Sequence, residues 1–450
     1  MKRKPALKRL ASLAALWILS ACGGGEPPAT APEVVASAAT ASAAEARRHA
    51  RFTISDDLLN EAVWLLPAIE QIYPQAFPAA SNTSTQRSGA IHYRCYAATQ
   101  NCVGFDGSDI YAMGPVVNSL GAPVRVISIA DFCATNARAC GFTLSKQLVI
   151  DGLTRHYVVY LPWKARGQVD TPTVFMLHGT SGTGPEFYEK SGWREKADAE
   201  GLIAVFPTAL RHCYLEDDDY DGVIEESERQ TPTKWAGGEL GTATQPLCTE
   251  AQRATLPADA RAAVDHPLAD DLAFFRAMVA DVTTHHAADP KRIYVSGFSN
   301  GAQMSARLAR EASDLVAAAA ANAGNLYSGL ATPAPRALSI IFMVGSMDDR
   351  YIRLSPDTGI PVTQDIAGTG FYQAISGNYR LALGLADTPY TWQNATVYGD
   401  LMSIYHHTTS TRTPAGGNEF YVGIVQGLTH RYPNYMPDLL WPWFLSKRMP

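Results

Sequence analysis

The sequence predicts an α/β fold, a mostly parallel sheet flanked by helices, with a small β-rich domain ahead of it. Three observations point there. From about residue 143 onward, short runs rich in Val, Ile and Phe alternate with stretches of helical period, as strand–helix–strand units do. Several runs, such as 173–177 and 338–344, are continuously apolar, and a strand covered on both faces needs no polar side. The run 292–296 passes through Gly297-Phe298-Ser299-Asn300-Gly301 into a helical stretch, so a sharp strand-to-helix turn is expected there.

The chain has 450 residues, 46% hydrophobic and 18% charged, enough apolar material for a large core. Its formal net charge of −6 offers no basic surface for nucleic acid. Lys2, Arg3, Lys4, Lys8 and Arg9 precede a ten-residue apolar run, Leu10 to Leu19, too short to span a bilayer. Residues 1–21 therefore read as a cleaved export signal. Leu19-Ser20-Ala21-Cys22 resembles the lipobox of bacterial lipoproteins. That resemblance implies a lipid on Cys22, and Gly23 after it implies the outer membrane or cell surface; a plain secretory signal is the alternative. The other six cysteines, Cys95, Cys102, Cys133, Cys140, Cys213 and Cys248, suit three disulfides in an oxidising compartment, most simply paired by proximity in that order. None has a zinc-ligand spacing.

Residues 22–51 are Gly-, Ala-, Pro- and Ser-rich, a lipidated flexible tether. Within 52–142, a small α+β accessory domain, Leu58, Leu59, Ala62, Val63 and Leu66 recur at helical spacing, with Pro67 marking an end or kink. Short strand-like runs follow at 91–96, 109–113 and 124–127. Residues 93–104 and 110–115 resemble a small domain found ahead of exported bacterial proteins; a spacer and a polymer-binding module both remain open for it. In the catalytic domain, 143–450, strands are expected at 155–160, 173–177, 202–206, 292–296, 338–344 and 419–425, and helices at 190–200, 270–285, 301–312 and 438–447.

The Gly-x-Ser-x-Gly at 297–301 carries the chemistry. A strained turn would present Ser299, and the flanking glycines leave room where side chains would collide. The following helix N-terminus would aim free N–H groups at a developing oxyanion. A nucleophilic serine needs an orienting acid and then a histidine. Asp348, just past the 338–344 strand, is the expected acid, with Asp349 as the alternative. Of the three later histidines, His430 is the expected base, while His406 and His407 are expected to be solvated in a polar insertion. The amides of Asn300 and Thr180 are the expected oxyanion donors, with His178 shaping the Thr180 loop.

The stretches 174–179, 289–306, 345–348 and 427–433 resemble polyhydroxybutyrate depolymerase-type esterases, relatives of feruloyl and acetylxylan esterases in the α/β-hydrolase superfamily. Asp270-Asp271-Leu272-Ala273-Phe274-Phe275 and the 441–444 helix share the resemblance, which implies the same serine, acid and histidine. It implies hydrolysis of a hydroxyalkanoate polyester or its oligomers through an acyl-enzyme. A feruloyl or acetyl ester on plant polysaccharide is the close rival, and a non-catalytic polymer-binding surface lipoprotein the rival of another class. Long segments at 211–265 and 351–418 depart from the family pattern and are expected to border the site.

Within 211–265, residues 217–228 fit a twelve-residue calcium loop. Asp217, Asp219, Asp221 and Glu228 hold positions 1, 3, 5 and 12, Gly222 makes the turn, and Val223 offers its carbonyl. A structural Ca2+ is expected, held with a disulfide in a lid-like insertion; no cofactor for the chemistry is expected.

Overall fold

Five short strands each pair antiparallel with the next: β1 (Thr83–Ser88), β2 (Ile91–Tyr96), β3 (Asn101–Phe105), β4 (Asp109–Met113) and β5 (Val124–Ser128). The computed structural model describes residues 65–79, 82–106, 108–114, 124–219, 221–352, 359–413 and 415–450. The export signal, Cys22, the tether and the helical period at 58–63 lie outside them. Cys95 and Cys102 stand opposite each other across β2 and β3 and are bonded, as are Cys133 of the helix Ile129–Thr135 and Cys140 at the end of the next short helix. Pro67 was expected to end or kink a helix, yet it sits in the first turn of the helix Leu66–Ile72. There a residue without an N–H sacrifices no hydrogen bond. Phe142 closes this first compact unit among the described residues, and the second begins at Thr143.

The second unit is organised by one ten-stranded sheet. Its strands are β6 (Phe142–Ile150), β7 (Leu153–Leu161), β8 (Thr171–Leu177), β9 (Ile203–Pro207), β12 (Ala288–Phe298), β13 (Ala318–Asn322), β14 (Ser339–Gly345), β15 (Tyr390–Val397), β16 (Asp400–His407) and β17 (Phe420–Val425). A two-strand ribbon, β10 (Tyr214–Leu215) with β11 (Arg229–Gln230), stands apart from it. Across the sheet the order is β6-β7-β9-β8-β12-β13-β14-β17-β16-β15. From β9 to β17 the neighbours are parallel, and β7 and the β15–β16 hairpin close the two sides antiparallel. β9, β13 and β14 are buried along their whole length, which is why their sequences lack a polar side.

Local sequence did not reveal β13. Its alanines favour helix, but between β12 and β14 they form parallel ladders with every side chain buried. Their small size leaves room for the helix Asn300–Glu311, which packs on both β12 and β13. The 351–418 segment also corrects the expectation. It contains the helix Gly370–Leu383 and the β15–β16 hairpin, which widens the sheet through β16. His407 is therefore not solvated, and His406 is only partly exposed. His407 is fully buried with its Nε2 2.6 Å from the Tyr372 hydroxyl, and His406 stacks on Tyr421 at 3.9 Å.

The helix Met436–Leu445 returns to the sheet, stacking Phe444 on Tyr294 at 4.8 Å and setting Trp441 edge-on to the same ring. Among the described residues, no helix is long and apolar enough to cross a membrane. Strand order, helices on both sides and a sharp turn after β12 make this the α/β-hydrolase fold.

Candidate active site

Ser299 sits where β12 meets the helix Asn300–Glu311, at φ 54° and ψ −121°. That conformation is rare for a residue with a side chain and costs on the order of 1–3 kcal/mol, so its surroundings must hold it. They do so by crowding. A Cβ on Gly297 would lie 2.1 Å from the Gly301 carbonyl oxygen, and one on Gly301 2.4 Å from those of Leu177 and His178. The Ser299 amide donates to the Asn322 carbonyl at the end of β13, at 2.8 Å.

Asp348 and His430 arrive on two stitched loops. Past β14, the Ser346 hydroxyl accepts the Gly427 amide at 2.9 Å, and the Met347 amide donates to the Leu428 carbonyl at 2.9 Å. This brings Asp348, wholly buried, against His430. Its two carboxylate oxygens lie 3.0 and 2.9 Å from His430 Nδ1, and His430 Nε2 lies 2.9 Å from Ser299 Oγ. With Nδ1 donating to the carboxylate, Nε2 is left free to accept the serine proton. The Arg350 amide donates to Asp348 Oδ1, whereas the neighbouring Asp349 carboxylate is 60% exposed. The geometry thus brings together Ser299, Asp348 and His430; an Asp349 oxygen comes within 4.8 Å of the His430 ring without a hydrogen bond to it, and His406 and His407 take no part.

The Thr180 loop follows β8. A Cβ on Gly179 would stand 3.2 Å from that of Ser299, so this loop lies beside that serine. Neither the Thr180 amide nor the Asn300 amide meets an acceptor among the described residues. His178 shapes the loop from beneath: Nε2 accepts the Ala209 amide at 3.0 Å and Nδ1 lies 2.7 Å from the Gly179 carbonyl. Burial pushes its pKa down to about 4, so the ring stays neutral.

Sequence reasoning missed the brace on the other side. The Trp235 indole donates to the His178 carbonyl at 2.9 Å, and its backbone is gripped by the Asn300 side chain at 2.6 and 3.1 Å. The next amide, Ala236, donates to Asp271, which forms a fully buried ion pair with Arg155. The 211–265 insertion thus borders the site through Trp235. An aromatic ahead of Gly237-Gly238 was the one sequence hint. Beside His430 opens a cavity of about 380 Å³, lined among others by Thr180, Phe187, Phe298 and Tyr432. Both polar and apolar side chains line it, enough room for an ester and a short acyl or alcohol chain.

Farther out in the insertion, the acidic loop joins β10 to β11, closed behind by the Cys213–Cys248 disulfide. Ligand oxygens of Asp217, Asp219 and Asp221 come within 4.8 Å of one another. Asp217 Oδ2 accepts the Gly222 amide at 3.0 Å, and Asp217 Oδ1 is buried without a partner. The Glu228 carboxylate accepts the amides of Asp218, Asp219 and Glu225, and the Asp221 carboxylate that of Val223. Ile224 packs on a small core containing Leu215, Val264 and the disulfide.

No protein-family model matches the chain. It is 29% identical over 208 residues to "Putative esterase NocK" of Nocardia uniformis subsp. tsuyamanensis, covering 46% of this chain and 48% of that protein. It is 43% identical over 58 residues to "Feruloyl esterase B" of Piromyces equi, 13% of this chain and 11% of that one. The chain thus spans about half the length of the first relative and about a tenth of the second. Among solved structures, an acetyl xylan esterase from Aspergillus awamori superposes with TM-score 0.40 at 14% identity, covering 67% of this chain and 98% of that one. An S-formylglutathione hydrolase from Agrobacterium tumefaciens superposes with TM-score 0.42 at 14% identity, covering 68% and 96%.

Proposed function

We propose that the chain is a serine hydrolase of carboxylic esters acting through an acyl-enzyme. The observation that carries this is the continuous relay from Asp348 through His430 to Ser299 Oγ, with 2.9 Å at its last step. Ser299 Oγ attacks the ester carbonyl while His430 Nε2 takes its proton, and Asp348 stabilises the imidazolium. The tetrahedral oxyanion is received by the amides of Thr180 and Asn300. On its collapse His430 returns the proton to the leaving alcohol, and a water activated by the same nitrogen then releases the acid and frees Ser299. The named relatives, both called esterases, support the same reading.

For the substrate, a hydroxyalkanoate polyester or its oligomers follows from the family resemblance of the site stretches, and a feruloyl or acetyl ester of plant polysaccharide from the relative named a feruloyl esterase. Ester hydrolysis by the wild-type chain beside Ser299→Ala, on hydroxybutyrate oligomers, methyl ferulate and short acyl esters, tests both levels. Turnover lost in the variant supports the serine mechanism and the best substrate selects the class; no turnover of any ester would overturn the reading.

The acidic loop is the proposed structural calcium site. Asp217, Asp219, Asp221 and the Val223 carbonyl would supply hard oxygens, with Glu228 as a further ligand, and the unpaired Asp217 Oδ1 fits that use. A bound cation would stiffen the insertion and take no part in the reaction. At the other end of the chain, export and lipidation of Cys22 are proposed; Cys22→Ser should move the protein from the detergent phase to the aqueous phase.

A further inference from the structure

The loop that carries the Thr180 amide does not hold itself. Residues 179–182 form a four-residue turn, closed by the Gly182 amide donating to the Gly179 carbonyl at 3.0 Å. Its third residue, Ser181, has φ 66°, and that position of such a turn favours glycine. A serine held there is strained, and its side of the turn is exposed, so neighbouring structure has to enforce the conformation. The shape matters because the Thr180 amide must be aimed in advance at an oxygen that gains its charge only in the transition state.

The support comes from the insertion. β10 and β11 are two residues each, but their pairing continues toward Ser299. Arg211 stands opposite Thr233, the His212 amide donates to the Pro232 carbonyl, and the Lys234 amide donates to the Leu210 carbonyl. Both legs of this ribbon end on the loop that follows β8. On the first leg, the Thr208 hydroxyl accepts the Gly184 amide at 2.9 Å, and the Ala209 amide donates to His178. On the second, Thr233 grips the turn twice. Its carbonyl accepts the Ser181 amide at 2.9 Å, and its hydroxyl donates to the Gly182 carbonyl at 2.7 Å. Those are the two residues directly after Thr180, the strained half of the turn. Two positions on, the Trp235 backbone is clasped by the side chain of Asn300, the other oxyanion donor. One stretch of the insertion thus touches both halves of the hole.

From these contacts we propose that Thr233 is a positioning residue for the oxyanion hole, locking residues 180–182 in the conformation that aims the Thr180 amide. This deepens the esterase reading and rests on it. Thr233 does not line the cavity beside His430, so it acts on the substrate only through the turn it holds. A turn that relaxes Ser181 to negative φ rotates the peptide next to the Thr180 amide. Misplacing a catalytic group by 1 Å can cost on the order of 10²-fold in rate. The insertion is then part of the frame of the reaction and not an optional cover over it.

The test uses the whole chain, Thr233→Val and Thr233→Ser, with rates expressed per serine titrated by a fluorophosphonate, so that misfolded molecules do not count. Val keeps the branched shape and the backbone carbonyl but removes the bond to Gly182; Ser restores it. Thr233→Val should lower kcat for ethyl hexanoate about tenfold, a part of the roughly 10²–10³-fold that a whole oxyanion donor supplies, with KM within about twofold. The preference for ethyl hexanoate over O-ethyl thiohexanoate should shrink by a similar factor, because sulfur is the poorer hydrogen-bond acceptor. Thr233→Ser should match the wild type in both. A fall in kcat that leaves the oxo-to-thiono ratio unchanged would place the damage outside the hole and overturn the proposal. A Ser variant as slow as the Val variant would overturn it, as would a Val variant as fast as the wild type. If the wild type hydrolyses no ester, the esterase reading fails and the positioning role with it; turnover that ignores Thr233 removes the positioning role alone.

Discussion

At the scale of single residues, the site makes a sharp distinction between neighbours. Asp348 and Asp349 are adjacent in sequence and both come near His430, but only Asp348 is hydrogen-bonded to it. Asp348→Asn is expected to cut kcat by roughly 10⁴-fold with the fold intact, since an amide stabilises the wrong imidazole tautomer. Asp349→Asn should leave kcat within about twofold of wild type; a comparable loss from it would show that the acid had been misassigned. Gly297→Ala should cost ~3 kcal/mol or more, because its methyl would stand 2.1 Å from a carbonyl oxygen that cannot withdraw without moving the nucleophile helix. A melting temperature unchanged in that variant would mean the turn is looser than described. The meeting of Ser299, Asp348 and His430 was legible because each follows its own apolar strand, so spacing along the chain stood in for position in space. Trp235 was not legible, because its partners, His178 and Asn300, are 57 and 65 residues away.

At the scale of elements, legibility tracked how far local preference agreed with surroundings. The strands β8, β9 and β14 could be read because apolar β-branched runs suit a buried parallel strand. β13 could not, because a run of alanines becomes a strand only once its neighbours are in place. The polarity of β15, exposed at half of its positions, concealed an edge strand. The 211–265 insertion invites two tests. Its disulfide spans a sequence separation of 35, so replacing Cys213 and Cys248 together with Ser should cost about 4 kcal/mol on a chain-entropy account. Calcium added to the chelated protein should raise its melting temperature, and Asp217→Asn should abolish that rise without lowering kcat at saturating substrate. A melting temperature indifferent to chelation would remove the cation from the proposal.

For the whole molecule, buried bases set the acid limit. Burial pushes His178 and His407 down to about 4 and His212 to about 3, all below the ordinary value near 6.5. Between pH 6.5 and 4 the unfolded chain therefore takes up protons that the folded chain refuses, so stability rises with pH across that window and is lost as pH falls through it. Between pH 6.5 and 4 one such group contributes at most roughly 3 kcal/mol. Carboxylates with partners, such as Asp314 beside Arg276, are held below their usual range and push in the same direction at lower pH. The melting temperature should fall steadily from pH 7 to pH 4; a flat profile would mean that these rings accept protons without disturbing the fold.

The order of strands across the sheet also sets a timetable for biosynthesis. β17 lies between β14 and β16, and among the described residues β16 has no sheet neighbour other than β17 and its own hairpin partner. A nascent chain that has emitted Ser299 and Asp348 still holds an unpaired edge on β14 and a homeless hairpin until residues 420–425 are made. The histidine that would turn the serine into a nucleophile is translated later still. Until the ribosome has passed residue 430, the growing polypeptide can show its active serine to any ester without consequence, so the first detectable turnover would mark the moment at which this sheet closes.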